Sequence, residues 1–179
     1  MTRGLLAVAF ACAAQAALAD DCRKLDAARG TVSFELKQAG APFRGAFRRF
    51  GGELCLDAGR VTRIDVWLEP ASVDAGLPEI DKALQDKDFF AVAQFPRALY
   101  SARSVEQKGN LQLAHGTLQM KGRSRPLDVP FDLKRDGAQQ VVSGALALKR
   151  LDYGIGTGEW ANTQWLGDEV TLTFRVAIP

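Results

Sequence analysis

The chain has 179 residues, of which 47% are hydrophobic and 25% are charged, and its formal net charge is +2 at pH 7. With 17 glycines, 7 prolines and no repetitive tract, this composition is that of one globular domain. It excludes the collagen-like, coiled-coil and disordered classes. The near balance of charge gives no electrostatic case for a nucleic-acid partner.

The first 19 residues have the pattern of a secretion signal. Arg3 supplies a basic start, residues 4–18 are uncharged, and Ala17-Leu18-Ala19 has the small-x-small form of a signal-peptidase site. We therefore expect a signal peptide over 1–19, cleavage after Ala19, and one exported domain over 20–179. Beyond Leu18 no apolar run approaches the roughly 20 residues of a membrane-spanning helix, so we expect the mature domain to be soluble.

Export leaves two cysteines, Cys22 and Cys55, because Cys12 lies within the signal segment. An even number of cysteines in an oxidising compartment favours a disulfide. A redox role is the alternative, but the chain has no C-x-x-C spacing. We predict a structural bridge that closes a loop of roughly 33 residues.

Apolar residues recur at every second position in most of the mature chain, which is typical of strands with one buried face. The alternation is uninterrupted over 32–36, 62–68, 127–133 and 170–178, with Trp67 on the polar side of its strand. The apolar side chains predicted to face inward in these segments are Val32, Phe34, Leu36, Ile64, Val66, Leu68, Leu127, Val129, Phe131, Leu133, Val170, Leu172, Phe174, Val176 and Ile178.

Three further strands have complications. In 43–57 the apolar residues change from one side of the strand to the other between Phe47 and Phe50, which predicts a bulge near residues 48–52. In 109–121 it changes across His115-Gly116, which predicts a second bulge there. In 139–150 the inward side carries Val142, Leu146 and Leu148, and 97–105 is a weaker eighth strand.

One segment has helical spacing instead. Leu77, Ile80 and Leu84 share one side of a helix and Pro78 suits its first turn, which predicts a short helix over 77–86. Eight strands joined mostly by short connections predict antiparallel pairing. We predict an all-β fold, an eight-stranded antiparallel lipocalin-like β-barrel with one short helix, and a two-sheet sandwich has the same periodicity.

The sequence gives no positive sign of catalysis. His115 is the only histidine and no nucleophile motif accompanies it, so we predict no catalytic residue, no metal site and no cofactor. The run Gly154-Ile155-Gly156-Thr157-Gly158 resembles a nucleotide-binding loop, but no helix pattern follows it. We interpret it as a glycine-rich turn in a long loop over 154–165.

Several basic residues have two interpretations. One interpretation is a solvated hairpin turn, and the other is a transient contact with anionic lipid head groups. Both apply to the run Lys121-Gly122-Arg123-Ser124-Arg125 and to Arg44, Arg48 and Arg49.

Arg150 continues the inward parity of Leu146 and Leu148, so its buried charge needs a partner. The structural interpretation is an ion pair with a carboxylate such as that of Asp88, Asp152 or Asp168. The functional interpretation is recognition of a phosphate or carbonyl on a ligand head group.

Several short segments carry a family resemblance. They are Asp81-Lys82-Ala83-Leu84, Asp86-Lys87-Asp88-Phe89-Phe90, Gln94-Phe95-Pro96, Gly116-Thr117-Leu118-Gln119-Met120-Lys121-Gly122 with Arg125-Pro126-Leu127, Lys149-Arg150-Leu151-Asp152-Tyr153-Gly154-Ile155-Gly156, and Trp165-Leu166-Gly167-Asp168-Glu169-Val170. In this order and spacing they resemble the YceI-like family of polyisoprenoid-binding, lipocalin-like proteins over essentially the whole mature region.

The resemblance implies periplasmic residence, an apolar barrel interior that holds a long isoprenoid lipid or quinone, and no established enzymatic step. A homodimer is also consistent with it. Many relatives have histidines flanking the first strand, whereas this chain has Arg29-Gly30 and Gln38 near those places. Any head-group role of those histidines therefore does not transfer.

We predict that a ligand's tail lies among inward aliphatic side chains and its head near Arg150 and Tyr153. The predicted ligand-binding residues are Phe34, Ile64, Val66, Phe89, Phe90, Phe131, Leu146, Leu148, Arg150, Tyr153, Trp160, Trp165, Leu172 and Phe174. The same inward side chains are equally consistent with a dry packed core. Two other classes stay open: a surface-interaction or stress-protective protein that uses Trp67, and an enzyme acting on a bound quinone or lipid through His115 or Tyr153.

Overall fold

The computed structural model describes residues 21–179, so the predicted signal peptide and its cleavage site lie outside the described residues. The described chain forms eleven strands and one α-helix. They are β1 (Asp21–Lys24), β2 (Asp26–Gln38), β3 (Ala41–Phe47), β4 (Phe50–Asp57), β5 (Arg60–Leu68), β6 (Val73–Asp74), α1 (Pro78–Gln85), β7 (Ala98–Lys108), β8 (Leu111–Met120), β9 (Arg123–Asp136), β10 (Gln139–Lys149) and β11 (Glu169–Ile178). No helix within 21–179 has the length and apolar character needed to cross a membrane.

The strands close into a ring of eight antiparallel segments. The strand order is β1-β4-β5-β7-β8-β9-β10-β11-β2-β3-β6. Only Leu25 separates β1 from β2, so these two strands form one long segment of the chain. Only Arg48 and Arg49 separate β3 from β4, so these two strands form a second long segment. Apart from β6, the strand order begins and ends within these two segments. Each long segment therefore has a neighbour on both sides, and the predicted eight-stranded barrel is confirmed. The count of eleven comes from these two breaks and the two-residue β6.

The predicted alternation places the expected side chains in the barrel interior. Phe34 is 9% exposed and Phe131 is 1% exposed. The break between β3 and β4 falls inside the predicted bulge, and because of it Phe47 and Phe50 are both buried although they differ in parity. The predicted helix is confirmed as α1, and its Leu84 is buried against the barrel.

The bulge predicted at His115-Gly116 is wrong. The register shift lies in the neighbouring strand β7, between Ala102 and Ser104, opposite His115. Strand β8 itself is continuous, and Leu111 on it is 45% exposed and points outward.

The inward side of β8 carries small residues at its centre. The pattern of apolar residues therefore did not show which side of this strand faces inward. A Cβ on Gly116 would lie 2.5 Å from the phenol oxygen of Tyr100, so the Tyr100 ring fills the space in front of this glycine. A side chain from the adjacent strand therefore replaces the apolar residue that the pattern led us to expect.

Cys22 and Cys55 form the predicted disulfide and face each other directly across β1 and β4. Cys55 is fully buried. The bridge therefore fastens the first described strand to the barrel wall.

Candidate ligand-binding site

The barrel interior contains one continuous cavity of about 260 Å³. Nine of the eleven strands, α1 and both end loops contribute to its lining. Its volume lies just below the roughly 300 to 1,000 Å³ typical of ligand pockets. Among the described lining residues, Arg150 is the only charged one. The interior is thus hollow and apolar.

Most of the predicted site residues line this cavity. They are Phe34, Ile64, Val66, Phe89, Phe90, Phe131, Leu146, Leu148, Arg150, Leu172 and Phe174. Tyr153, Trp160 and Trp165 do not line it, so the cavity gives no support to their predicted contact with a ligand. Tyr153 is buried outside the cavity, Trp160 packs on Phe89 with ring centroids 5.5 Å apart, and Trp165 is 53% exposed. Strand parity does not extend into loops, so their orientation was not predictable from it.

Sequence reasoning passed over part of the lining. The omitted residues include Leu36, Phe43, Phe47, Tyr100, Leu118, Met120, Leu127, Val129, Val142 and Val170. Most of them share the inward parity of the predicted residues, and that parity was the available signal. Tyr100 had no such signal, because it lies in the weakly patterned strand β7.

Phenylalanines crowd one wall of the cavity. The ring of Phe34 lies 5.4 Å from that of Phe47 and 6.2 Å from that of Phe43, measured between centroids. Phe47 also meets Phe90 edge-on at 5.7 Å. These tilted and edge-on contacts are the favoured geometries of aromatic pairs, and they give this wall a stable shape.

The guanidinium of Arg150 is 2% exposed at one end of the cavity. All five of its N–H groups donate to backbone carbonyl oxygens. The acceptors and donor–acceptor distances are Gly167 at 2.9 Å, Ile155 at 2.8 Å, Gly156 at 2.6 Å, Trp160 at 2.8 Å and Leu166 at 2.7 Å.

This arrangement corrects both interpretations of Arg150. The predicted carboxylate partner is wrong, because carbonyl oxygens satisfy the donors instead. The same bonds leave no guanidinium N–H free to hold a ligand head group. Burial lowers the pKa of the Arg150 guanidinium, and the Asp168 carboxylate acts in the opposite direction. Arg150 is therefore a structural clamp on the loop 155–167.

The glycine-rich turn is part of this clamp. Gly156 has φ +68°, and a Cβ there would lie 2.3 Å from a terminal guanidinium nitrogen of Arg150. Only glycine combines that backbone conformation with so close an approach. The backbone N–H of Gly156 donates to the carbonyl of Asp88 at 2.7 Å, so the loop after α1 is fastened to the same turn. Loops 86–95 and 150–168 together cover this end of the barrel.

Buried side chains separate the cavity from the opposite end of the barrel, which is formed by the turns between β4 and β5, β7 and β8, and β9 and β10. These side chains are those of Leu56, Val61, Ala102, Ala114 and Ile178. Each is at most 4% exposed, and none of these five lines the cavity. The cavity therefore occupies only the part of the barrel nearer to Arg150.

The basic turn after β8 is not simply solvated. Lys121 donates to the carbonyl of Gly154 at 2.6 Å, Arg123 to the carbonyls of Leu151 and Asp152 at 3.2 Å, and Arg125 to that of Asp152 at 2.9 Å. Burial lowers the pKa of Lys121. These bonds join the turn to the loop over the end of the barrel.

The other arginines with two interpretations form ion pairs on the outer surface. Arg44 pairs with Glu35 and Arg48 with Asp74. Arg49 pairs with Glu69. Such exposed pairs contribute little to stability, so we assign them no site.

Tyr100 adds a polar atom to the cavity region. Its phenol donates to the carbonyls of Ala114 at 3.0 Å and Leu127 at 3.2 Å. Burial raises the pKa of Tyr100 to about 12, with Asp128 as the second cause. The phenol is therefore neutral at physiological pH.

The two candidates for a reactive group lie away from the cavity. His115 is on the outer surface, with Nδ1 2.9 Å from Asp128 and Nε2 3.5 Å from Glu106. The hydrogen bond to Asp128 raises the pKa of His115, against a smaller opposing effect of desolvation. Tyr153 does not line the cavity. Cys22, Glu53 and Cys55 form the one cluster of three metal-ligating groups within 21–179, but the disulfide occupies both sulfurs.

A closed antiparallel barrel with one hollow apolar interior defines a lipocalin-like protein. The sequence model of the YceI-like domain matches residues 24–178. The chain therefore belongs to the YceI-like family.

The relatives agree with this assignment. A UPF0312 protein of Shewanella putrefaciens is 30% identical over 161 residues, which cover 84% of each chain. Another, from Shewanella oneidensis, is 32% identical over 140 residues and covers 73% of each chain.

Solved structures share the fold. The structure of BcnA from Burkholderia cenocepacia superposes with a TM-score of 0.81 at 29% identity, covering 86% of this chain and 98% of that one. A polyisoprenoid-binding domain from Saccharophagus degradans has a TM-score of 0.71 at 17% identity, covering 87% and 96%.

Proposed function

We propose that the protein is a periplasmic binding or carrier protein for a polyisoprenoid or similar amphiphile, such as an isoprenoid quinone or a polyprenyl phosphate. The observation that carries this proposal is the continuous apolar cavity of about 260 Å³ inside the barrel. The solved polyisoprenoid-binding domain of Saccharophagus degradans, which has the same fold, supports the class of ligand.

The driving force is burial of the ligand's tail. Each methylene removed from water contributes about 0.8 kcal/mol, so a tail of several isoprene units outweighs the entropy lost on binding. The side chains that would receive it include a row along one wall, with Leu172 of β11 paired with Phe34 of β2 on one side and with Leu146 of β10 on the other.

The head group has no polar contact from Arg150 in this proposal, because the carbonyls of the end loop use all of its donors. The cavity selects an apolar tail and leaves a polar head to the barrel surface. We propose no chemical step on the ligand, since the two candidate reactive groups lie away from the cavity.

We also propose export through the segment 1–19, with Asp20 as the first residue of the mature protein. The disulfide between Cys22 and Cys55 supports an oxidising compartment. Edman sequencing of the protein from a periplasmic fraction tests this: an N-terminus at Asp20 is expected, and a cytoplasmic protein retaining Met1 contradicts it.

Two matched substitutions test occupancy of the cavity. Leu172 lines the cavity, and its neighbour Thr173 is exposed on the outer side of the same strand. Leu172→Trp fills the space for the tail, whereas Thr173→Trp adds the same indole outside the barrel. We expect dansyl-labelled geranylgeranyl phosphate to bind the wild type and Thr173→Trp, and to bind Leu172→Trp at least ~ten-fold more weakly. Equal affinity of both variants places binding elsewhere, and no binding to any of the three proteins rejects this ligand class.

A surface-interaction role is the second candidate. The indole of Trp67 lies on the outer face of β5, where the guanidinium carbon of Arg97 stacks 4.6 Å from the ring centroid. Leu99, the residue paired with Trp67 on β7, is 42% exposed. Trp67 also borders the cavity, whereas Leu99 does not, so Leu99 is the residue to change. If this face binds a protein partner, Leu99→Ser abolishes capture of that partner and leaves uptake of the dansyl probe unchanged. Loss of probe binding in Leu99→Ser contradicts a separate outer site.

A further inference from the structure

The barrel wall has a seam beside the cavity where the neighbouring strands β9 and β10 run on without backbone pairing. Strand β10 pairs with β9 only between residues 139–143 and 132–136. Residues 123–131 of β9 pair with β8 alone, and residues 144–149 of β10 pair with β11 alone. We call the boundary between 123–131 and 144–149 the β9–β10 seam.

Two prolines keep this seam unpaired. An ideal Cβ on Gly144 would lie 2.4 Å from the carbonyl oxygen of Pro130, so the polar side of Pro130 faces β10. In an extended strand the N and O atoms of one residue point to the same neighbour, and residues of equal parity point the same way. Pro126 and Pro130 both lack an N–H on this side, and their positions mark β9 as an edge strand here.

Gly144 marks the point where the paired and unpaired parts meet. An ideal Cβ on Gly144 would also lie 2.7 Å from the ring of Phe174. This ring and the Pro130 carbonyl together leave no space for a side chain at Gly144. Beyond this glycine the two strands continue without ladder hydrogen bonds, which leaves a weak line in this part of the wall.

The cavity lies directly behind the seam. Leu127 and Val129 of β9 and Leu146 and Leu148 of β10 face each other across it, and all four line the cavity. On the outer side β10 carries the small exposed residues Ala145 and Ala147 in this stretch, followed by the exposed Lys149 at its end. An apolar chain that passes between the strands therefore meets apolar side chains inside and little obstruction outside.

The ends of the barrel offer no comparable passage. Buried side chains separate one of them from the cavity, and loops that the Arg150 clamp and the Asp88 carbonyl hold together cover the other. At the seam, by contrast, only side-chain bonds connect the strands near this covered end, from Arg123 and Arg125 to the carbonyls of Leu151 and Asp152. Exposed hydrogen bonds of this kind exchange readily with water.

We propose that the β9–β10 seam is the lateral portal through which the apolar tail of a single-chain amphiphile enters and leaves the cavity. This inference rests on the proposed function. It adds the route of entry and the requirement that the part of the ligand passing through the wall is a single flexible chain. Opening separates residues 123–131 from 144–149 without breaking a ladder hydrogen bond, so the rest of the barrel keeps its structure.

Crosslinking across the seam tests the portal. Asp128 on β9 and Ala147 on β10 are exposed, outward-facing and opposite each other if the register of the paired region is extended. The double variant Asp128→Cys/Ala147→Cys, joined by a short bis-maleimide, fastens the seam shut. The matched control is Asp132→Cys/Ser143→Cys, which places the same crosslink where the strands are already paired. Each single variant capped with a monofunctional maleimide controls for the lost side chains, including the Asp128 contact with His115.

The readout is stopped-flow uptake and release of dansyl-labelled geranylgeranyl phosphate. We expect the seam crosslink to slow both rates at least ~ten-fold and to leave the equilibrium Kd within ~two-fold, because a gate acts on kinetics in both directions. The control crosslink and the capped single variants should match the uncrosslinked protein. Unchanged rates with the seam crosslinked overturn the portal while the binding function stands. If uncrosslinked protein fails to bind the probe, both the portal and the proposed function fall.

Discussion

The guanidinium of Arg150 donates a hydrogen bond of 2.7 Å to the backbone carbonyl of Leu166, sixteen residues further along the chain. Its other donors hold carbonyls at both ends of the intervening loop. A single buried cation thus organises a long loop that has little regular secondary structure. Each carbonyl gains a charged donor in place of water, which is the stronger class of hydrogen bond.

Replacing Arg150 by methionine is therefore expected to destabilise the protein strongly. The variant keeps an apolar stem but leaves buried carbonyl oxygens without donors, and we expect a loss of about 3–5 kcal/mol in the free energy of unfolding. Urea denaturation followed by circular dichroism measures it. The matched control is Arg123→Ala, because Arg123 also donates to carbonyls but is exposed, and its loss should stay below about 1 kcal/mol. Equal stability of Arg150→Met and wild type contradicts the clamp.

Removing the disulfide should weaken the fold without affecting the cavity. The bridge joins residues separated by 33 positions, and the loop-closure model assigns it about 3.5–4 kcal/mol. We expect Cys22→Ala/Cys55→Ala to unfold at lower urea by that amount and still to bind the dansyl probe, since neither cysteine lines the cavity. A double variant as stable as the wild type argues against a structural role of the bridge.

The only histidine provides a direct test of the electrostatics on the outer surface. Because the hydrogen bond to Asp128 raises the pKa of His115 above its ordinary value of 6.5, protonation stabilises the folded state. This stabilisation is complete below about pH 6.5 and disappears as the pH rises through the folded-state pKa. The NMR titration of its ring protons should give a pKa above 6.5, and Asp128→Asn should lower it. A wild-type pKa at or below that of Asp128→Asn would contradict the pairing.

Tail length should govern affinity. Each methylene buried in the cavity contributes about 0.8 kcal/mol, so Kd should fall about four-fold for each one added until the cavity is full. Isothermal titration with a series of alkyl or prenyl phosphates that share one head group measures the slope. In Leu172→Trp the series should level off at a shorter chain. An affinity that depends on the head group but not on the length would contradict tail binding.

The sequence was sufficient for the barrel because strand parity is a local property. The alternation in 32–36 and 170–178 determines which side chains face inward whatever their partners, and the structure places Val32, Phe34 and Phe174 against the cavity. The same reasoning went wrong at Gly116, where Tyr100 from another strand supplies the missing bulk. A pattern within one strand does not contain that information.

The site was predicted less completely for a related reason. Inward parity cannot separate a hollow interior from a packed one, and the chain uses both: Leu146 lines the cavity, whereas Ile178 is one of the buried side chains that separate it from the opposite end. Arg150 was correctly expected to be buried, but its partners are backbone carbonyls, which every residue possesses and no sequence pattern marks. The β9–β10 seam depends on a pairing that stops partway along two strands, and Pro126 and Pro130 became informative only once their neighbours were known.

Native mass spectrometry tests the central claim most directly. The full chain, including residues 1–19, is expressed in a bacterial host, purified from the periplasmic fraction without detergent, and examined before and after incubation with geranylgeranyl phosphate. We expect one amphiphile per chain, co-purified or acquired on incubation, released by organic extraction, and acquired by Thr173→Trp but not by Leu172→Trp. A protein that stays at its bare mass throughout, or one that Leu172→Trp loads as fully as the wild type does, would contradict it.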